Sequence, residues 1–314
     1  MKKLFSLVLV VALAFTLFTG CGDKGPKIET ITLEDGNTFV GIVVDGVPNG
    51  EGTLTDIMGS EWKGNFVNGK LEGYGYYLGY DLLEYEGFFV NGLFEGYGHW
   101  VGANGDDFKG MFVGGSMNGV GRMEFTTGCF YEGGWVNGHM HGMGWMTWPV
   151  GDVYFGEWKE GNPVGWGCKM FYDSAFGEKG NYATYNKYVG EMVNNLMHGW
   201  GIMYFAGSGG VYVGGWEEGV RNDEHAVYYF EPGIDCVKFE GAFSRSKNNG
   251  WIWGEGTMWY SDGRVVTGVW EGLECIEEYS SDVTDPEDVE NEAEAVRDSF
   301  MDNELVKGAL EVVA

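Results

Sequence analysis

Tyr131-Glu132-Gly133-Gly134-Trp135-Val136-Asn137-Gly138-His139-Met140-His141-Gly142-Met143-Gly144 is the stretch whose reading decides the fold of this chain. Tyr131 and Trp135 stand two residues before and two residues after Gly133. On a strand those three positions share one face. Asn137-Gly138 tolerates positive φ at both residues and is a strong signal for a two-residue hairpin turn. Gly142 and Gly144 then open a returning strand. The unit is a β-hairpin, and a hairpin alone is at best marginally stable in water.

The pattern recurs along the chain. The glycine between the two aromatic positions falls at Gly41, Gly64, Gly87, Gly110, Gly133 and Gly156, a constant step of 23 residues. It returns with looser spacing at Gly190, Gly214, Gly241 and Gly268, which makes ten copies. The flanking rings are Trp62 and Phe66, Tyr85 and Phe89, Phe108 and Phe112, Tyr131 and Trp135, and Tyr154 and Trp158. Later copies supply Tyr188, then Tyr212 and Trp216, then Phe239 and Phe243. A glycine between two rings lets both close over bare backbone. Two residues past each glycine pair stands a mostly apolar position, as at Leu54, Tyr77, Trp100, Met123 and Met146. A fixed period of this length marks a repeat array, in which each unit buries its face only against its neighbours. The expected fold is all-β: an elongated, twisted, single-layer sheet of stacked antiparallel β-hairpins, followed by a short C-terminal helix.

The unit Tyr-Glu-Gly-Gly-Trp-Val-Asn-Gly-His-Met-His-Gly-Met-Gly resembles a MORN (membrane occupation and recognition nexus) repeat, over roughly residues 37–275. The resemblance implies stacked hairpins that act as a scaffold or interaction surface and carry no catalysis of their own. It also brings the family's proposed association with membranes or phospholipids.

Four segments follow from the sequence. Residues 1–20 read as a lipoprotein-type export signal: Lys2 and Lys3 give a positive start, and an apolar run covers residues 4–18. That run is short for a membrane span, which needs about 20 residues. Leu17-Phe18-Thr19-Gly20-Cys21 resembles a bacterial lipoprotein cleavage site, with Phe18 where an aliphatic residue is usual. Cys21 is then the lipidated first residue of an exported protein, anchored to a bacterial cell membrane and facing outside the cytoplasm. Residues 21–36 read as a tether and 37–275 as the array. An extra segment near 168–187 reads as a surface loop, and insertions of this kind often lie on a binding face. Later copies decay, and Asp223 and His225 occupy the places expected for paired glycines. Residues 276–314 form an acidic tail. Asp285-Pro286 is a helix start, and Val289, Ala293, Val296 and Phe300 make one stripe. That helix either caps the last hairpin or is presented to a partner.

Composition narrows the function. The chain has 56 glycines, 20 phenylalanines, 18 tyrosines and 13 tryptophans in 314 residues, and a formal charge of −28. An acidic ribbon of this kind is repelled by nucleic acid and by anionic lipid headgroups. Membrane contact is therefore assigned to the lipid on Cys21. The four remaining cysteines, Cys129, Cys168, Cys236 and Cys275, sit at unrelated offsets in their repeats and read as unpaired thiols.

No catalytic residues, metal or cofactor are assigned. The glycine pairs open strands rather than a helix N-terminus, so they are not phosphate cradles. His139 and His141 share a strand face, but further metal ligands are not visible nearby. No carboxylate pair stands in the contrasting environments that acid–base chemistry needs. The rings flanking the marker glycines read as the ribbon's own packing or as a groove. Met170, Tyr204 and Trp259 have the opposite parity, and the rings of Tyr204 and Trp259 read as facing a ligand. The reading is a non-enzymatic scaffold whose protein partner has a basic surface. The alternative is a cell-surface glycan-binding protein.

Overall fold

The computed structural model describes residues 27–175, 177–245 and 250–313. The export signal, Cys21 and the first part of the tether lie outside the described residues, as do Phe176 in the insertion and residues 246–249 of a late turn.

The strands follow one another along the chain. The first eight are β1 (Ile28–Thr32), β2 (Thr38–Val44), β3 (Val47–Thr55), β4 (Glu61–Val67), β5 (Lys70–Leu78), β6 (Glu84–Val90), β7 (Leu93–Val101) and β8 (Asp107–Val113). Next come β9 (Ser116–Glu124), β10 (Phe130–Val136), β11 (His139–Thr147), β12 (Val153–Lys159) and β13 (Asn162–Phe171). After the insertion run β14 (Asn186–Val193), β15 (Leu196–Phe205), β16 (Gly210–Glu217), β17 (Val220–Arg221) and β18 (Asp223–Tyr229). The array closes with β19 (Cys236–Phe243), β20 (Ile252–Tyr260), β21 (Arg264–Glu271) and β22 (Glu274–Val283), then helices α1 (Pro286–Met301) and α2 (Glu304–Val313).

Except between β17 and β18, each strand pairs antiparallel with the next, so one open sheet of 22 strands results. Strand β16 pairs with both the short β17 and β18. At about 4.8 Å per strand such a sheet is on the order of 100 Å long. Ile28–Thr32 falls inside the segment read as a tether. It pairs residue for residue with β2, because Ile28-Glu-Thr-Ile-Thr is β-prone enough to extend an open edge.

The turns behave as Asn-Gly chemistry dictates. Asn68 and Gly69 (φ 51° and 83°), Asn91 and Gly92 (53° and 80°), and Asn137 and Gly138 (49° and 80°) have the positive φ pair of a type I′ turn. The marker glycines and the second glycine of each returning strand form a row across the sheet: Gly75 pairs with Gly87, Gly87 with Gly98, and Gly98 with Gly110. In most copies the ring two residues before the marker lies flat on this row. A Cβ added at Gly144 would stand 2.3 Å from the Tyr131 hydroxyl oxygen, so the Tyr131 ring closes there only over glycine. One correction concerns the copy at Gly214. Ala226, not His225, takes the second-glycine place, since the register pairs it with Gly241. The short β17 arm and the Asp223 carboxylate, which accepts from the Gly215 N–H at 2.7 Å, shift that strand by one.

The tail departs furthest from expectation. Asp285 caps α1, its side chain accepting from the Glu287 N–H, and Val289, Ala293 and Phe300 are buried. A second helix follows. The pair neither caps the last hairpin nor projects free, but lies back across the sheet, with α1 on β15 and β19 and α2 on β12, β13 and β14. The last strand, β22, remains an edge. It is exposed along nearly its whole length, is bulged at two places, and carries Glu274, Glu277, Glu278 and Asp282. Charge and bulging both discourage further strand pairing.

Candidate interaction surface

The sheet has two faces of different character. On the ring face, Phe66, Tyr85, Phe89, Phe108, Phe112, Tyr131, Trp135, Tyr154 and Trp158 are all buried. So are Tyr188, Tyr212, Trp216, Phe239 and Phe243. They form an edge-to-face chain that crosses from hairpin to hairpin. Tyr131 meets its own Trp135 at 5.3 Å and the Trp158 of the next unit at 5.1 Å, with planes 85° and 76° apart. Arrangements of this kind add to simple area burial.

Polar ends of the rings are used within the ribbon. A bulge after each marker frees one carbonyl from the strand ladder, and the tyrosine hydroxyl donates to it: Tyr131 to Gly134 at 3.0 Å, Tyr188 to Glu191 at 2.9 Å. The indole N–H of Trp135 donates to Gly121 O, and that of Trp158 to Gly144 O, both at 3.1 Å, tying each hairpin to the one before. Burial pushes the hydroxyl pKa of Tyr131, Tyr154 and Tyr188 well above the usual tyrosine range. The rings of this face are therefore packing, not a groove. Trp62 is the exception. It is half-buried, and Leu71 rather than a ring closes on Gly64.

The outer face is built by the alternate residues, and its polarity reverses along the ribbon. In β6 the outward residues run Glu84, Glu86, Phe88, Val90, and in β8 they run Asp107, Lys109, Met111, Val113. Charge lies at the strand start and apolar groups at the hairpin turn. In β12 the order is Val153, Phe155, Glu157, Lys159, with the apolar end now at the start. The tail helices cover that inverted part. Val153, Cys168, Met170, Tyr185 and Val189 form a second core with Phe300, Val306 and Ala309. Tyr185 belongs to the insertion, so the extra segment is a wall of this core. Burial pushes the Cys168 thiol up to about 12, so this cysteine is inert, and all four described cysteines are free thiols.

Tyr204 and Met170 are thereby occupied by the chain itself: Met170 is buried, and Tyr204 packs on Phe300. Trp259 is half-buried, with the Lys238 ammonium 4.9 Å from its ring centre. Lys238 also pairs with Glu292 of α1 at 2.9 Å, and Tyr229 donates to the same carboxylate at 2.8 Å. Burial alone would raise the Glu292 carboxyl pKa, but these two hydrogen bonds outweigh it and hold the pKa below the usual value. Arg297 donates to the carbonyls of Gly209 and Phe230. A cleft of about 420 Å³ opens between α1 and the loop bearing Phe230 and Ile234.

Among the described residues no three His, Cys, Asp or Glu side chains are grouped to hold a metal ion, and no helix is long and apolar enough to cross a membrane. His99, not singled out from the sequence, lies 3.0 Å from Asp107.

A family model described as the MORN repeat matches residues 39–61, 62–81, 85–107, 108–130, 131–153, 154–175, 188–209 and 246–263. The chain belongs to the MORN-repeat family. Eight MORN copies are matched where ten markers were counted. Seven of the ten markers fall inside matched segments; Gly241 lies just before the match at 246–263, and the copies at Gly214, where Ala226 breaks the glycine pair, and at Gly268, where β22 has no glycine, are unmatched. MORN repeats serve as modules for protein–protein or membrane interaction and are typically non-catalytic. Among solved structures, the TCP domain of Drosophila melanogaster SAS-4 (dCPAP), determined with a proline-rich motif of Ana2 (dSTIL), is 12% identical. That match covers 61% of this chain and 92% of that one, with a TM-score of 0.30. The TCP10 domain of Danio rerio CPAP is 9% identical over 82% of this chain and 100% of that one, with a TM-score of 0.35. Likenesses this low carry nothing further about the MORN array described above. No curated protein matches the chain.

Proposed function

We propose that this MORN-repeat chain is a non-enzymatic scaffold, held at a bacterial membrane by a lipid on Cys21 and displaying its acidic ribbon to a protein partner outside the cytoplasm. The observation that carries the reading is the uncovered outer face from β4 to β11. There Tyr74, Tyr97 and Val120 are 59%, 61% and 68% exposed on a single-layer sheet. Contiguous exposed apolar surface marks interaction sites, and a repeated surface gives avidity. The charge of −28 favours a partner with a basic surface. The N-terminal pattern ending at Cys21 supports the anchor.

A second reading has its own observation. Trp166 and Trp200 are both exposed, with ring centres 6.1 Å apart, and paired indoles of this kind stack on sugars. The test is a pull-down from the native cell envelope at low and high salt, with full-length protein as bait. A salt-released protein partner supports the scaffold. Retention of cell-wall polysaccharide with no protein partner selects glycan binding instead. Metabolic labelling with a fatty-acid probe, lost on Cys21→Ser, tests the anchor.

A further inference from the structure

The reversal of polarity on the outer face leaves one half of it without a cover. On β12 to β19 apolar residues lie at the strand end away from the turns, where α1 and α2 pack, while Trp166 and Trp200 stay exposed nearer the turns. On β4 to β11 the apolar residues lie beside the hairpin turns. Tyr74, Phe88, Tyr97, Met111, Val120 and Met143 make one exposed row. Val67, Val90, Val113 and Val136 make a second row beside it, also exposed. The register places the first row in line: Tyr74 opposite Phe88, and Tyr97 opposite Met111. Tyr74 and Phe88 already touch edge to face at 5.6 Å. Neither helix packs on these eight strands.

The dimensions select the occupant. Eight strands at about 4.8 Å span roughly 34 Å, and two rows of side chains are about 10 Å wide, so the strip offers on the order of 350 Å². A stable dimer needs about 800 Å² from each partner, and a second copy would bring another −28 charge against this one. One α-helix is about 10 Å across and rises 1.5 Å per residue, so a helix of roughly 23 residues fits the strip. The same face, farther along, already accepts helices from the chain's own tail.

Charge selects the flanks. Lys63, Lys109 and Arg122, on the strand side of the strip, are paired with Glu61, Asp107 and Glu124. Glu86 and Glu132 stand in the same band, with no basic side chain paired to either among the described ion pairs. A helix bordered by Lys or Arg would complement them.

We propose that the outer strip of β4 to β11 docks a single amphipathic helix of another protein, apolar on one face and basic along its flanks. The proposal rests on the interaction-module reading above and names the chemistry of its partner.

The test titrates full-length protein with three synthetic 23-residue helical peptides. The first has leucines in an i, i+3, i+4, i+7 stripe flanked by lysines. The second has the same composition with the leucines redistributed, and the third has glutamates in place of the lysines. The first should bind at least tenfold more tightly than either of the others. Phe88→Glu with Met111→Glu should weaken it at least tenfold with an unchanged circular dichroism spectrum, since both side chains are exposed. Glu86→Lys with Glu132→Lys should shift preference from the lysine peptide toward the glutamate peptide, a change that misfolding would not produce. Equal binding of the first two peptides, no binding of any, or indifference to the strip substitutions would overturn the proposal. An envelope protein captured equally well by the Phe88→Glu/Met111→Glu chain would also overturn it, while leaving the scaffold reading standing. Polysaccharide capture without any protein would remove both.

Discussion

Tyr204 stacks on Phe300, ring centres 6.0 Å apart and planes 25° from parallel, so a ring in the middle of the array is covered by a helix from the end of the chain. Phe300→Ala should therefore act on the tail rather than on the ribbon. Deleting a buried phenylalanine ring costs about 3 kcal/mol, and in a repeat array each unit depends on its neighbours alone. Hydrogen exchange should show lost protection across α1 and α2, with β4 to β11 unchanged. Loss of protection in every strand would contradict a locally docked tail.

The hydroxyl of Tyr131 and its equivalents can be tested in both directions. Tyr131→Phe removes the donor to Gly134 O and should cost about 1 kcal/mol. Phe108 holds the same place without a hydroxyl, so Phe108→Tyr should recover up to about 1 kcal/mol. Urea denaturation of the two variants would show opposite shifts in midpoint. A stabilised Tyr131→Phe chain would refute the role given to that bond.

Glu160 carries φ of 49° at a turn position that Asn68, Asn91 and Asn137 hold in other copies, and that Glu218 holds with φ of 48° in a later one. An L-residue with a long side chain is strained there, whereas Asn tolerates the left-handed region. Glu160→Asn should raise stability by about 0.5–1 kcal/mol, read as a higher thermal midpoint. An unchanged or lower midpoint would mean that the carboxylate is doing something the turn geometry does not reveal.

High pH should unfold the ribbon. Burial raises the Tyr85 hydroxyl from 10.0 to about 12, and it raises those of Tyr131, Tyr154, Tyr188 and Tyr212 as well. The folded state then holds protons that the unfolded state releases first. Stability is fully present below about pH 10 and falls as pH rises through the folded values. Denaturant midpoints should be level below pH 9 and drop steeply above 10, with tyrosinate absorbance appearing together with unfolding. Titration of the buried tyrosines ahead of unfolding would contradict their burial.

The hairpins were legible in the sequence because their determinants are local. Asn137-Gly138 sets a turn whatever surrounds it, and Tyr131, Gly133 and Trp135 share a face by the two-residue period of a strand. Burial of Trp135 and Trp158 follows once neighbouring hairpins stack. Trp62 broke the pattern through a single replacement, Leu71 closing on Gly64, which periodicity does not register.

The second face depended on contacts distant in sequence. Val153 and Phe155 in β12, Tyr185 in the insertion, and Phe300 and Val306 in the tail carry no shared motif. Only their meeting shows that the insertion is a wall and the tail a cover. The stripe of Val289, Ala293 and Phe300 announced a helix with one apolar side, but not which surface that side would find. By itself the sequence determined the repeating hairpins and their ring-lined face, since turn chemistry and strand alternation act within a few residues. The tertiary structure alone decided which half of the outer face is covered and which is left open. That choice depends on where apolar and charged groups on separate strands fall relative to two helices that the chain reaches only at its end.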